Sequence, residues 1–342
     1  MKFVFNKLFS ERVPQPRALA REANLGILTL TLLAVLLTLT GCVSHTRVVA
    51  KPVRIGVVEE ASLDQLINLI NTRYEAVKTL TATVSIQASV NAGRDEVKDY
   101  TSFRGYILIR QPGMLRVLGL VPVVQTHMFD MASDGTTFKL FIPPRNKAIT
   151  GSDLVVHPSP NALENMRPEL FTNALLVHSI DPDALVYRTS DTRYETNPRT
   201  KQMIEEPNYN IVIVRRGDKA NRGIPDRVIH IDRSDLTPYQ QDTYNNQGVI
   251  ETQVTYGAYQ DFGGIRFPSL IRISRPLDKY EITLTIEKLT ENQPLTDDQF
   301  ELKIPPGTLV QTLSQLSPKQ KPSHTDRSSA ERNAAERLAL AP

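Results

Sequence analysis

Apolar residues along this chain recur with two periods, and each change of period marks an element. Leu63, Leu66, Ile67, Ile70, Tyr74 and Val77 fall on one side of a helix running from about 63 to 78. Ser62-Leu63-Asp64-Gln65 opens it as a capping box, in which the Ser oxygen takes an orphan amide and Gln65 reaches back. From Leu80 the period falls to two: Val84, Ile86, Ala88 and Val90 alternate with Thr83, Ser85, Gln87 and Ser89, the pattern of a half-buried strand. Further strands are expected at Phe103–Arg110, Met114–Leu118, Gln125–Met131 and Thr137–Ile142, with Asp134-Gly135 as a hairpin turn. Asn161–Leu176 reads as one or two short helices interrupted at Pro168. Strands resume at Ala184–Thr189, Asn210–Arg215, Asp226–Asp232, Pro238–Tyr244, Gly248–Tyr259, Arg266–Arg275 and Lys279–Leu289. Few helices separate these strands, so the sheet is expected to be antiparallel with one face dry. The chain from Ser314 is rich in Pro, Lys and Ser, a composition that does not build a core.

The N-terminus follows a different pattern. Leu25–Leu39 is uncharged and apolar, about 15 residues long, and short for a membrane span of roughly 20. It follows a basic segment and ends at Leu39-Thr40-Gly41-Cys42, which has the form of a lipobox. The expectation is a cleaved signal over 1–41 and a lipid on Cys42. A polar tether would follow over 42–60, then a folded domain over 61–312 and a disordered or partly helical tail over 313–342. An uncleaved anchor with an incidental cysteine is the alternative, disfavoured by the length and flanks of the run. Val43, not Asp, follows the cysteine, which leans toward the outer membrane while leaving inner-membrane anchoring open.

Charge narrows the function classes. Removing residues 1–41 removes five basic and two acidic side chains from the chain's 40 and 37, leaving 35 of each and a formally neutral remainder. A neutral chain lacks the basic footprint of a nucleic-acid binder or a polybasic membrane patch. The single cysteine excludes an internal disulfide and cysteine-rich zinc sites. There is no G-x-S-x-G, H-E-x-x-H or phosphate loop, and the six histidines show no ligand-like spacing. No catalytic residue, metal or cofactor is expected. His127 and His230 read as strand packing or surface residues, and Asp297-Asp298 as a solvated turn in preference to a cation site.

Three local patterns resemble the LolA/LolB superfamily of outer-membrane lipoprotein carriers and receptors. Ile109-Arg110-Gln111-Pro112-Gly113-Met114-Leu115-Arg116-Val117 is similar to that family's strand–Pro–strand segment. Ser133-Asp134-Gly135-Thr136-Thr137-Phe138, with Ile142-Pro143 after it, is similar to its hairpin. Leu295-Thr296-Asp297-Asp298-Gln299-Phe300-Glu301-Leu302, followed by Ile304-Pro305-Pro306-Gly307, is similar to its closing strand. The sequence departs from the pattern where the soluble carrier has Arg before the first proline. Here that position is Gln111, and Arg110, one place earlier, should face the other way. There is no tryptophan, and residues 186–227 look inserted, as extra strands or as a mobile loop.

The resemblance implies an α+β fold, an incomplete antiparallel β-barrel of about 10–11 strands with helices over its concave face. It implies a lipid-anchored periplasmic protein that takes the acyl chains of lipids or lipoproteins into an apolar cavity, in lipoprotein sorting or envelope lipid transport. The candidate lining is Val84, Ile86, Tyr106, Leu108, Met128, Phe138, Leu140, Ile282 and Leu284. Each of these also fits an ordinary core position. Leu118 and Leu120, in the apolar stretch Leu118-Gly119-Leu120-Val121-Pro122, are candidates for a membrane-touching loop; a loop folded back on the core is the equal alternative. The competing function is an envelope scaffold that docks a protein partner on the same sheet and carries no lipid cargo.

Overall fold

A computed structural model describes residues 53–54, 58–93, 96–121, 126–152, 167–197, 199–217 and 222–313. Cys42, the expected signal over 1–41, residues 122–125 and 161–166, and the chain beyond 313 lie outside the described residues.

Helix α1 spans Leu63–Ala76. The capping box forms as expected: Gln65 N donates to Ser62 Oγ at 3.2 Å, and Ser62 N donates to Gln65 Oε1 at 2.7 Å. The helix stops two residues short of the expected end, because Val77 turns to extended backbone and leads directly into the next strand. Helix α2 spans Pro168–Leu175. Pro168 begins this helix, since proline suits a first helical position, where its missing N–H would have no partner.

The strands are β1 (Val53–Arg54), β2 (Thr79–Gly93), β3 (Glu96–Asp99), β4 (Phe103–Arg110), β5 (Met114–Leu120), β6 (His127–Ser133), β7 (Thr137–Ile142), β8 (Lys147–Ser152), β9 (Leu185–Thr196), β10 (Met203–Arg216), β11 (Gly223–Asp232), β12 (Pro238–Tyr244), β13 (Ile250–Tyr256), β14 (Tyr259–Asp261), β15 (Arg266–Pro268), β16 (Leu270–Arg275), β17 (Tyr280–Glu291) and β18 (Leu309–Leu313). Among the described residues sixteen form one sheet in the order β1-β10-β11-β12-β13-β16-β17-β2-β4-β5-β6-β7-β8-β18, with β9 beside β10 and β3 beside β2. β14 and β15 make a separate hairpin. Neighbours are antiparallel except β1 with β10 and β8 with β18. The order has two ends, so the barrel is open as expected, but the sheet is wider than the 10–11 strands expected. The 186–227 stretch supplies two long strands, β9 and β10, which pair from Met203–Thr196 to Val214–Leu185. The end of the expected tether is also docked: Val53–Arg54 pairs with Ile204–Glu205, and Glu59 N donates to Arg233 O at 2.7 Å.

The sheet curls. Helix α2 touches β16 on one side and β5 and β6 on the other, while β17, β2 and β4 lie between those strands in the sheet order. The sheet therefore wraps around α2. Helix α1 covers the second half, where Leu66 and Ile70 pack with Tyr209, Ile211, Ile213, Ile229 and Ile231.

One expected strand is absent. Asp297–Phe300 is a turn of 3-10 helix, and the segment around it covers the outer face of β4 and β5. Arg110 Nη1 donates to Leu295 O at 2.9 Å, Arg110 also pairs with Asp297, and Arg116 Nη1 donates to Gln299 O at 3.0 Å. Phe300 and Leu302 are buried there.

On the outer face of β11 and β12, His230 lies between Asn210 Oδ1 at 2.8 Å and Asp242 Oδ2 at 3.1 Å. Burial alone would raise the Asp242 pKa. Hydrogen bonds from His230, Gln253 and Gln240 outweigh it, and the net shift is downward. A carboxylate with a depressed folded-state pKa adds stability above its unfolded value and loses it as pH falls through the folded value. Asp242→Asn should therefore destabilise at pH 7 by about 1–3 kcal/mol and narrow the gap between melting temperatures at pH 7 and pH 3. Calorimetry at the two values checks this; an unchanged gap contradicts the assignment.

Candidate functional site

The inner face of the sheet, beneath the helices, is a continuous apolar strip set by strand register. Ala82, Ile107, Val117, Met131, Leu140 and Ile149 stand opposite one another across six strands, and Leu80, Ile109 and Leu115 form a second row. On the other flank Val254, Ile273 and Ile282 line up, as do Tyr256, Ile271, Leu284 and Ile86. Directly paired side chains share a face, so register alone builds the strip. Helix α2 lies on it through Leu170, Phe171, Ala174 and Leu175, all buried in the same cluster.

Six of the nine candidate lining residues lie on this face: Val84, Ile86, Phe138, Leu140, Ile282 and Leu284. They are covered by the protein's own side chains and do not face an open hollow. The other three do not belong to it. Tyr106 and Leu108 pair with Thr83 and Thr81 on the outer face, because Ile107 and Ile109 take the inward positions of β4. Met128 is the extra residue of a bulge, since Gly119 pairs with Phe129 and Leu120 with His127. Leu118 and Leu120 are corrected too: both lie in β5 and not in a loop, and Leu120 is buried.

The polar groups around α2 went unnoticed in the sequence. Gln241 Nε2 donates to Asn173 O at 3.2 Å, from the middle of an otherwise apolar row. Arg227 Nη1 and Nη2 donate to His178 O at 3.0 Å and Ser179 O at 3.2 Å. Asn71 on α1 both donates to Ile180 O at 3.1 Å and accepts from Ile180 N at 2.8 Å. These bonds hold the stretch after α2 between the sheet and α1. Burial lowers the Arg227 pKa, and burial with the neighbouring Arg227 charge brings the His178 pKa down to about 4. Burial pushes the Tyr256 phenol up. Among the described residues, Tyr256 Oη, Gln241 Oε1 and His178 Nε2 are buried without a hydrogen-bond partner.

Arg110 and Gln111 take opposite faces. Gln111 Nε2 donates to Tyr74 O at 2.9 Å at the end of α1, whereas Arg110 lies over the Phe300 ring at 5.1 Å on the outer face. Gln111, not Arg110, is thus the side chain here that reaches a helix on the inner side.

A LolA superfamily protein from Nitrosomonas europaea aligns over 71% of this chain and 99% of its own, at 13% identity and a TM-score of 0.43. An outer membrane lipoprotein-sorting protein domain from Vibrio parahaemolyticus and a DUF1329 family protein from Desulfovibrio piger each align over 69% of this chain and 94% of their own, at 12% identity and a TM-score of 0.43. No family profile and no curated protein matches the sequence.

Proposed function

We propose that this is a lipid-anchored envelope protein, held by an acylated Cys42 at the periplasmic face of the outer membrane, that binds acyl chains of lipids or lipoproteins on the inner face of its sheet. The observation that supports this most is the sheet's curl around an eight-residue amphipathic helix. A helix of that length is about 12 Å long and marginal by itself in water, so its place is held by packing. Removing Leu170, Phe171 and Leu175 from the strip costs about 1.5–3 kcal/mol each. An alkyl chain of about twelve carbons entering the same strip returns roughly 0.8 kcal/mol per methylene. The two sums are comparable, so exchange of α2 for a chain is near balance and reversible. No covalent step is needed, and neither a catalytic residue nor a cofactor is invoked.

A second reading rests on the burial of that same strip without any ligand: an envelope scaffold whose inner face is simply its core and whose sheet docks a protein partner. Native mass spectrometry of the mature chain with Cys42→Ser, mixed with laurate and with a diacyl phospholipid, separates the two. The first reading expects one bound chain or lipid per protein. Bare protein at every concentration tried leaves only the scaffold.

A further inference from the structure

We propose a second, polar binding site for a phosphate-class oxyanion, beside the start of α1 and separate from the apolar strip. It is a depression of about 490 Å³ whose lining includes Ser62, Gln65, Arg188, Ser190, Tyr209 and Arg233. Strand register brings the parts together: Arg188 on β9 stands opposite Ile211, Ser190 stands opposite Tyr209, and Arg233 follows the last residue of β11.

Two guanidinium groups share one aromatic ring. Arg188 Cζ is 4.7 Å and Arg233 Cζ 4.6 Å from the centroid of Tyr209, itself buried at 4% exposure. Each is also fixed to backbone: Arg188 Nη1 donates to Ala61 O, and Arg233 Nε donates to Glu59 O at 3.2 Å. Ala61 N donates to the Tyr209 hydroxyl at 3.3 Å, which ties the ring to the same stretch. Both cations are therefore held in place while keeping most of their N–H donors, and a planar guanidinium fork with free donors can bond two oxygens of a tetrahedral phosphate at once. Two cations held beside one ring raise the local positive potential, and an anion bound in the depression by their remaining donors lowers it. Among the described lining residues Glu60 is the carboxylate; it makes an exposed ion pair with Arg233 at 3.9 Å, its own side chain 90% exposed, and so offsets the two positive charges only in part.

Phosphate oxygens reach such a site either as free phosphate or in the headgroup of an anionic phospholipid. The experiment uses the mature chain with Cys42→Ser, so that no lipid of its own carries it to a membrane. Inorganic phosphate is titrated calorimetrically, and flotation is compared on phosphatidylglycerol and phosphatidylcholine vesicles. The expected result is saturable binding that weakens by about tenfold or more in Arg188→Gln and in Arg233→Gln, and that tightens severalfold in Glu60→Gln. Phosphate heat without a preference for phosphatidylglycerol assigns the free ion; a phosphatidylglycerol preference lost in both arginine variants assigns the headgroup. Wild-type protein with neither response overturns the site. So does binding unchanged in the arginine variants, or weakened by Glu60→Gln. If an arginine variant fails to fold by circular dichroism, the Glu60→Gln response decides alone, since Glu60 is nearly fully solvated and its loss leaves the packing intact.

Discussion

Phe171→Ala should lower the stability of the ligand-free protein by about 3–5 kcal/mol and increase its response to laurate. Phe171 is 1% exposed and sits on α2 where the sheet wraps the helix. Truncation leaves a cavity the size of its ring in the apolar strip, and surrounding side chains collapse into such cavities only in part. If acyl chains enter this strip, the wild type must first expel Phe171, whereas the variant offers space already cleared. A ligand that binds only the folded state stabilises it by about 2.7 kcal/mol at a hundredfold excess over its dissociation constant. Tighter binding by the variant therefore appears as a larger upward shift in melting temperature at the same laurate concentration. A melting temperature that falls on mutation and then ignores laurate, in variant and wild type alike, would confine Phe171 to the core and remove the main support for acyl-chain binding.

The residues that decide this site were only partly legible. The capping box of α1 and its Leu66–Ile70 stripe were readable because a helix end needs a donor satisfied locally, and both partners lie within three residues. The β17 alternation of Ile282, Leu284 and Ile286 with Thr283, Thr285 and Glu287 named its own inner face. In β4 the run Tyr106-Ile107-Leu108-Ile109 is apolar at both parities, so only pairing with Leu80 and Ala82 fixes which residues turn inward. Met128 failed for another reason: a bulge inserts one residue and breaks the count of two. β10 was legible only over its apolar second half, because its first half carries Glu205, Glu206 and Pro207, and Pro207 lies one residue before pairing with β11 begins. The polar holds on α2 and on the stretch after it come from Gln241 and Arg227, 48 to 68 residues from the groups they bond, and no local pattern announces such contacts.

Arg116→Met should be the most damaging substitution on the outer face, costing about 3–5 kcal/mol. Arg116 makes two parallel bonds to Asp130, Nε to Oδ1 at 3.1 Å and Nη2 to Oδ2 at 2.8 Å, and a third to Gln299 O. The Asp130 side chain is 4% exposed, so removing Arg116 strands a carboxylate away from water. The intact pair adds much less than this figure, since its attraction is largely offset by the desolvation of both charges. That difference gives the test its sign. Arg116→Met alone should shift the urea midpoint strongly downward, and adding Asp130→Leu should recover most of the loss, because Ala132, Tyr106 and Leu108 already make parts of that face apolar. A double variant as unstable as the single one would mean that the hold on Gln299, and with it the docking of Phe300 and Leu302, carries the stability in place of the ion pair.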